Sequence, residues 1–113
     1  MKYPAVHYHD YLGISNILSS QHPKSVEYGK PAHDEMLFII VHQTYELWFK
    51  QILFELDSVL STFQKSNVAE EEMGQASARL ERIVAVQKLI AGQIDVLETM
   101  TPLDFLDFRD MLY

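Results

Sequence analysis

Cysteine is absent from the 113 residues. That excludes disulfides and thiolate metal sites, so any metal must be held by His, Asp or Glu or arrive inside a cofactor. Long apolar runs are missing too. Hydrophobic residues make up 48% of the chain, yet the longest uninterrupted stretch, Met36 to Val41, ends at His42, far short of the ~20 residues a membrane span needs. The N-terminus holds Tyr3, Pro4, His7, His9 and Asp10 where a secretory signal would have an apolar stretch and a small-residue cleavage site, and a cytoplasmic protein is expected. Basic residues are scarce: 9 Lys and Arg against 16 Asp and Glu leave a net charge of −7. Such a charge repels phosphates, so neither nucleic acid nor a membrane is an expected partner. Repeats, low-complexity tracts, glycine-rich phosphate loops, Gly-x-Ser-x-Gly elbows and Glu-x-x-His or His-Glu-x-x-His spacings are also lacking, which disfavours a di-iron bundle or a zinc protease.

What is present is helical periodicity. Residues 32 to 65 contain neither Gly nor Pro and follow Lys30-Pro31, with Asp34 and Glu35 in the first turn; this predicts one long helix. Phe38, His42, Tyr45, Phe49, Ile52, Leu56, Val59 and Phe63 recur at spacings of four and three, the period of a seam packed on other helices. A second helix is expected from Asn67 as N-cap, with Glu70 three residues on, through Met73, Ala76, Leu80, Ile83, Gln87, Ile90, Ile94 and Leu97, with Gly74 and Gly92 as weak points. The contiguous acids Glu70, Glu71 and Glu72 suit the positive end of that helix. Thr101-Pro102-Leu103-Asp104 reads as N-cap, Pro at the first position and a capping acid, opening a third helix over 101–112. The expected fold is all-α and a single domain over residues 1–113: an N-terminal arm (1–21), a loop (22–31), a long antiparallel hairpin (32–98) and the third helix.

Two residues stand out chemically. His42 lies in an apolar stripe, where an unpaired ring nitrogen would cost about 1 to 3 kcal/mol; from the pattern alone a hydrogen-bonded core histidine is the simpler reading and a ligand or catalytic residue the alternative. Glu46, one turn on, could pair with it, but two ligands do not define a metal site. Arg109 is flanked by Phe105, Leu106, Phe108, Met111 and Leu112, and a guanidinium there either snorkels at a core edge or pairs with a carboxylate. A structural salt bridge is its simpler reading.

The segment HDEMLFIIVHQTYELWFKQILFEL, residues 33 to 56, closely resembles the signature helix of the tryptophan 2,3-dioxygenases. Three further stretches fit in order: YHDYLGISNILSSQ (8–21), VAVQKLIAGQIDVLETMTP (84–102) and LDFLDFRDML (103–112). The resemblance covers nearly the whole chain. It implies haem b as cofactor, L-tryptophan and O2 as substrates, N-formylkynurenine as product and a homo-oligomer, a tetramer in the family. His42 matches the distal histidine that faces the oxygen side of the haem and hydrogen-bonds the indole N–H. Phe38 matches an aromatic packed on the indole, and Arg109 the arginine that pairs with the substrate carboxylate. Tyr8, Tyr11 and Leu12 match an arm that crosses into a neighbouring subunit and helps close its pocket. Under this resemblance the substrate clamp displaces the simpler readings of His42 and Arg109.

Phe105 stands where many bacterial members carry a tyrosine whose hydroxyl assists with the carboxylate, so recognition would lean more on Arg109. The chain has no match to the family's Gly-rich closing loop or proximal histidine; His7, His9, His22 and His33 do not correspond to that ligand. What the resemblance implies is therefore the distal half of a haem pocket, which by itself is expected to bind haem weakly or not at all. The alternative is a truncated, catalytically inactive relative that serves as a self-associating helical module.

Overall fold

A computed structural model describes residues 3–112, and the regular structure in it is helical throughout: α1 (Tyr8–Tyr11), α2 (Ile14–Leu18), α3 (Lys24–Glu27), α4 (Glu35–Phe63), α5 (Glu70–Leu97) and α6 (Pro102–Arg109). The all-α expectation holds. The long hairpin is α4 and α5, two helices of 29 and 28 residues, each roughly 43 Å long.

Their ends differ from expectation in detail. α5 begins at Glu70 after Ala69, and Glu72, rather than Glu70, reaches back to a cap backbone, that of Ala69, at 3.3 Å. Asn67 precedes the helix as part of the turn. Glu70, Glu71 and Glu72 do occupy the first turn, where the helix dipole favours negative charge. α6 is closed as predicted: the Asp104 backbone N–H donates to Thr101 Oγ1 at 3.2 Å, the Thr101 N–H donates to Asp104 Oδ2 at 3.1 Å, and Pro102 follows the cap. The helix stops at Arg109, three residues short of the expected end.

The expected loop 22–31 contains one helical turn, α3, ended by a Schellman arrangement. Gly29 takes φ +76°, its N–H donates to the Val26 carbonyl at 3.1 Å, and the Lys30 N–H donates to the Ser25 carbonyl at 2.8 Å. Gly13, with φ +62°, makes the corner between α1 and α2.

Along the hairpin each helix uses one of its two predicted tracks and replaces the other. In α4, Tyr45, Ile52 and Val59 are half-buried or buried, but Phe49, Leu56 and Phe63 stay 42, 37 and 50% exposed, and Val41, Trp48, Glu55 and Thr62 turn inward instead. In α5, Ala76, Ile83, Ile90 and Leu97 face in, while Arg79, Val86 and Gln93 take the places expected of Leu80, Gln87 and Ile94. Polar pairing across the interface accounts for the inward turn of Glu55, Arg79 and Gln93. Arg82 Nη1 donates to Glu55 Oε2 at 2.8 Å, Thr44 Oγ1 donates to Gln93 Oε1 at 3.0 Å, and Arg79 donates to Ser58 Oγ. Hydrophobicity alone cannot locate a seam built partly from such pairs.

Among the described residues the buried apolar side chains are Val41, Val59, Ala76, Ile83, Val86 and Phe108, a small core for a molecule 59 × 38 × 22 Å. Its accessible surface is 9112 Å², against about 6,400 Å² expected of a compact monomer of this mass. Much of the excess is apolar: Leu53, Phe54 and Leu103 are 58, 69 and 74% exposed. No helix among the described residues is long and apolar enough to cross a membrane.

Candidate functional site

The site grows from the first half of α4. Phe38 and His42 lie one turn apart on it, so their rings stack at a centroid distance of 4.1 Å, tilted by 31°. α6 closes over Phe38 from the side. Phe105 stacks on it at 5.7 Å and Phe108 meets it edge-on at 5.4 Å, while Phe105 and Phe108 pack perpendicular to one another at 5.5 Å. Phe108 is only 1% exposed. It is the apolar anchor that seats α6, and hence the neighbouring Arg109, at this end of the hairpin.

His42 is exposed rather than buried, so it is not a core histidine. Its Nδ1 lies 2.7 Å from the Phe38 carbonyl. A carbonyl only accepts, so Nδ1 carries the hydrogen, and in the neutral ring Nε2 is left as an acceptor. Tyr45 packs edge-on against the imidazole at 6.0 Å. Beside it runs a groove of about 480 Å³, lined by Ile17 and Ser20 of the N-terminal segment and by His42, Gln43, Glu46, Leu47 and Lys50 of α4.

Arg109 lies one turn after Phe105 at the end of α6. Its Nε is 3.7 Å from Asp110 Oδ1, with the two side chains 57 and 89% exposed. A contact that long and that wet holds little, so the strong structural salt bridge considered from sequence is not what fixes this guanidinium. Tyr8 and Tyr11 on α1 and Leu12 at its end are 74, 72 and 40% exposed. The structure thus brings Phe38, His42 and Phe105 together, sets Arg109 on the same short helix as Phe105, and leaves the α1 residues in solvent.

Sequence reasoning did not anticipate the most buried charged group nearby. Glu35, 1% exposed, accepts from the Lys24 N–H at 2.8 Å, from the Ser25 N–H at 2.9 Å and from Ser25 Oγ. Burial pushes its carboxyl up, but these hydrogen bonds and the Lys24 charge outweigh burial and hold it below the usual carboxylate range. Ser25 Oγ in turn accepts from the Ala32 N–H at 2.9 Å. The one available signal, an acid in the first turn of a helix, points to the dipole and not to a partner ten residues earlier.

Comparison with known proteins bears directly on this arrangement. The family model described as tryptophan 2,3-dioxygenase matches residues 2–113. The chain belongs to the tryptophan 2,3-dioxygenase family. It is 84% identical over all of its 113 residues to the tryptophan 2,3-dioxygenase of Bdellovibrio bacteriovorus, covering 32% of that protein. Against the enzymes so named from Aedes aegypti and Dictyostelium discoideum the identities are 54% and 50%, over 93% and 95% of this chain and 27% of each relative. The chain therefore spans about a third or less of the length of these relatives.

Haem is the cofactor that the tryptophan 2,3-dioxygenase resemblance implies. The residues around His42 form a surface of the kind such a group packs against. They offer one imidazole nitrogen beside aromatic rings and the apolar Ile17 and Leu47, with Glu46 and Lys50 as the charged groups of the groove, and no cluster of three or more ligating side chains for a bare ion is found among the described residues.

Proposed function

We propose that this chain supplies the substrate-clamping, distal half of a haem-dependent tryptophan 2,3-dioxygenase, which inserts both atoms of O2 across the indole C2–C3 bond of L-tryptophan to give N-formylkynurenine. The observation that carries the reading is the imidazole of His42. With Nδ1 held by the Phe38 carbonyl, Nε2 is an acceptor of the kind an indole N–H requires, and the Phe38 and Phe105 rings beside it are aromatic surfaces of the kind an indole stacks on. Haem, when bound, supplies the oxygen activation. The protein's part is to orient: His42 receives the indole N–H, Phe38 and Phe105 pack on the ring, and Arg109 takes the substrate carboxylate in a bidentate fork. Phe105 has no hydroxyl, so the carboxylate rests on Arg109 alone among these residues. Tyr8, Tyr11 and Leu12 close the pocket of a neighbouring subunit in a homo-oligomer, a tetramer as the family resemblance implies, located in the cytoplasm.

Steady-state kinetics of the complete haem-loaded protein with tryptophan and with 1-methyltryptophan test this reading. Turnover of tryptophan to N-formylkynurenine, lowered by His42→Ala, is the expected result; failure of the haem-loaded protein to consume tryptophan would overturn it. A second reading, a non-catalytic self-associating module, draws support from the 9112 Å² of exposed surface. It predicts association without tryptophan turnover.

A further inference from the structure

Among residues 3–30 only Ser25 is buried, and Ile17, Leu18 and Val26 stay 44, 72 and 58% exposed. Apolar burial is therefore too slight to hold the N-terminal segment on α4. Hydrogen bonds hold it, at two points. At the first, Gln43 Nε2 donates to the Ser20 carbonyl at 3.0 Å while its Oε1 accepts from Gln21 Nε2 at 2.8 Å. Gln21 Nε2 also donates to the Ile17 carbonyl at 2.9 Å, so the two amides tie the chain just after α2 to the α4 side chain. At the second, Glu35 accepts from Lys24 and Ser25 as described above. The two points are eight residues apart on α4, about 12 Å along its axis. A segment attached at one point can swing; attached at two it has a direction.

We propose that Gln43 and Glu35 are positioning residues of the substrate site: together they hold residues 17–25 against α4, so that Ile17 and Ser20 wall the groove beside His42 and the Tyr8–Leu12 arm leaves α4 along a set line toward the neighbouring pocket. Gln43 directly follows His42, so this attachment and the imidazole share one helical turn. The inference rests on the dioxygenase reading and adds to it the residues that aim the arm.

The test uses Gln43→Leu and Glu35→Gln in the complete haem-loaded protein, with Ser25→Ala as a milder change at the second point. Backbone hydrogen exchange in residues 17–25 is expected to rise about tenfold in each of the first two variants while α4 and α5 are unchanged. Tryptophan KM is expected to rise about fivefold, with kcat within about twofold and the Soret spectrum unaltered. Faster exchange with an unchanged KM would make the attachment purely structural and overturn the proposal while leaving the dioxygenase reading intact; so would unchanged exchange in both variants. Absence of tryptophan turnover in the unmodified protein would instead overturn the dioxygenase reading. Should Glu35→Gln or Ser25→Ala fail to fold, Gln43→Leu, at a half-buried position, decides the matter by itself.

Discussion

His42 and Arg109 are both exposed, yet they differ in how firmly they are held. The imidazole is oriented by the Phe38 carbonyl at 2.7 Å and by ring contacts on two sides, whereas the guanidinium has a loose contact at 3.7 Å. The first residue is set in place and the second is available to a ligand. Separable effects follow. His42→Ala should leave a working but slower enzyme if the ring only positions the substrate, and its effect should shrink with 1-methyltryptophan, which lacks the N–H; an equal effect on both substrates would rule out the hydrogen bond. Arg109→Ala should weaken apparent tryptophan affinity by about ten- to a hundredfold, the scale of a charge-assisted hydrogen bond, with O2 binding to haem retained. An unchanged affinity would remove the carboxylate assignment.

At the scale of elements, the attachment of α6 depends on Phe108, which fills the angle between Phe38 and Phe105. Phe108→Ala should cost about 3–5 kcal/mol in urea denaturation, and loss of near-ultraviolet aromatic ellipticity should accompany it. The hairpin and the N-terminal segment share a dependence on acid. The Arg82 hydrogen bond holds the Glu55 carboxyl down against burial, and hydrogen bonds from Ser25 and Lys24 hold Glu35 down in the same way. A depressed folded pKa means that each contributes stability fully present above the ordinary carboxylate value and lost as pH falls through the lower folded value. Thermal melts should therefore show falling stability below the ordinary carboxylate range, and Glu35→Gln should flatten part of that slope. Gly74 sits within α5 with nothing within 4 Å of a Cβ built on it, so Gly74→Ala should raise stability, by up to about 1 kcal/mol; a drop in the melting midpoint would count against an unpacked position.

At the scale of the molecule, an accessible surface well above that of a compact monomer and apolar side chains such as Phe54 and Leu103 in solvent describe helices with uncovered faces. Exposed apolar faces of a helix hairpin usually mark interfaces. Self-association at micromolar concentration is the expected behaviour, and light scattering showing a clean monomer would contradict it. Haem titration of the 113-residue chain should give weak binding or none, because no histidine in it matches the family's proximal ligand. A stoichiometric, histidine-ligated Soret band would show that another histidine serves.

Periodicity by itself determined that the chain is a helical hairpin with a capped third helix, because long runs without Gly or Pro and the Thr101–Asp104 capping box are local features that need no tertiary context. The matching residues from 33 to 56 likewise marked Phe38, His42 and, further on, Phe105 and Arg109 as candidates. Tertiary structure alone decided which face of each long helix meets the other. Glu55, Arg79 and Gln93 enter that interface because partners across it satisfy them, and a pattern of hydrophobicity ranks such residues as solvent-facing. Tertiary structure also paired Glu35 with Ser25 and Gln43 with Gln21, 10 and 22 residues apart. No local spacing rule connects positions so separated when the chain between them turns back on itself, and their hydrogen bonds exist only once residues 17–25 have docked on α4.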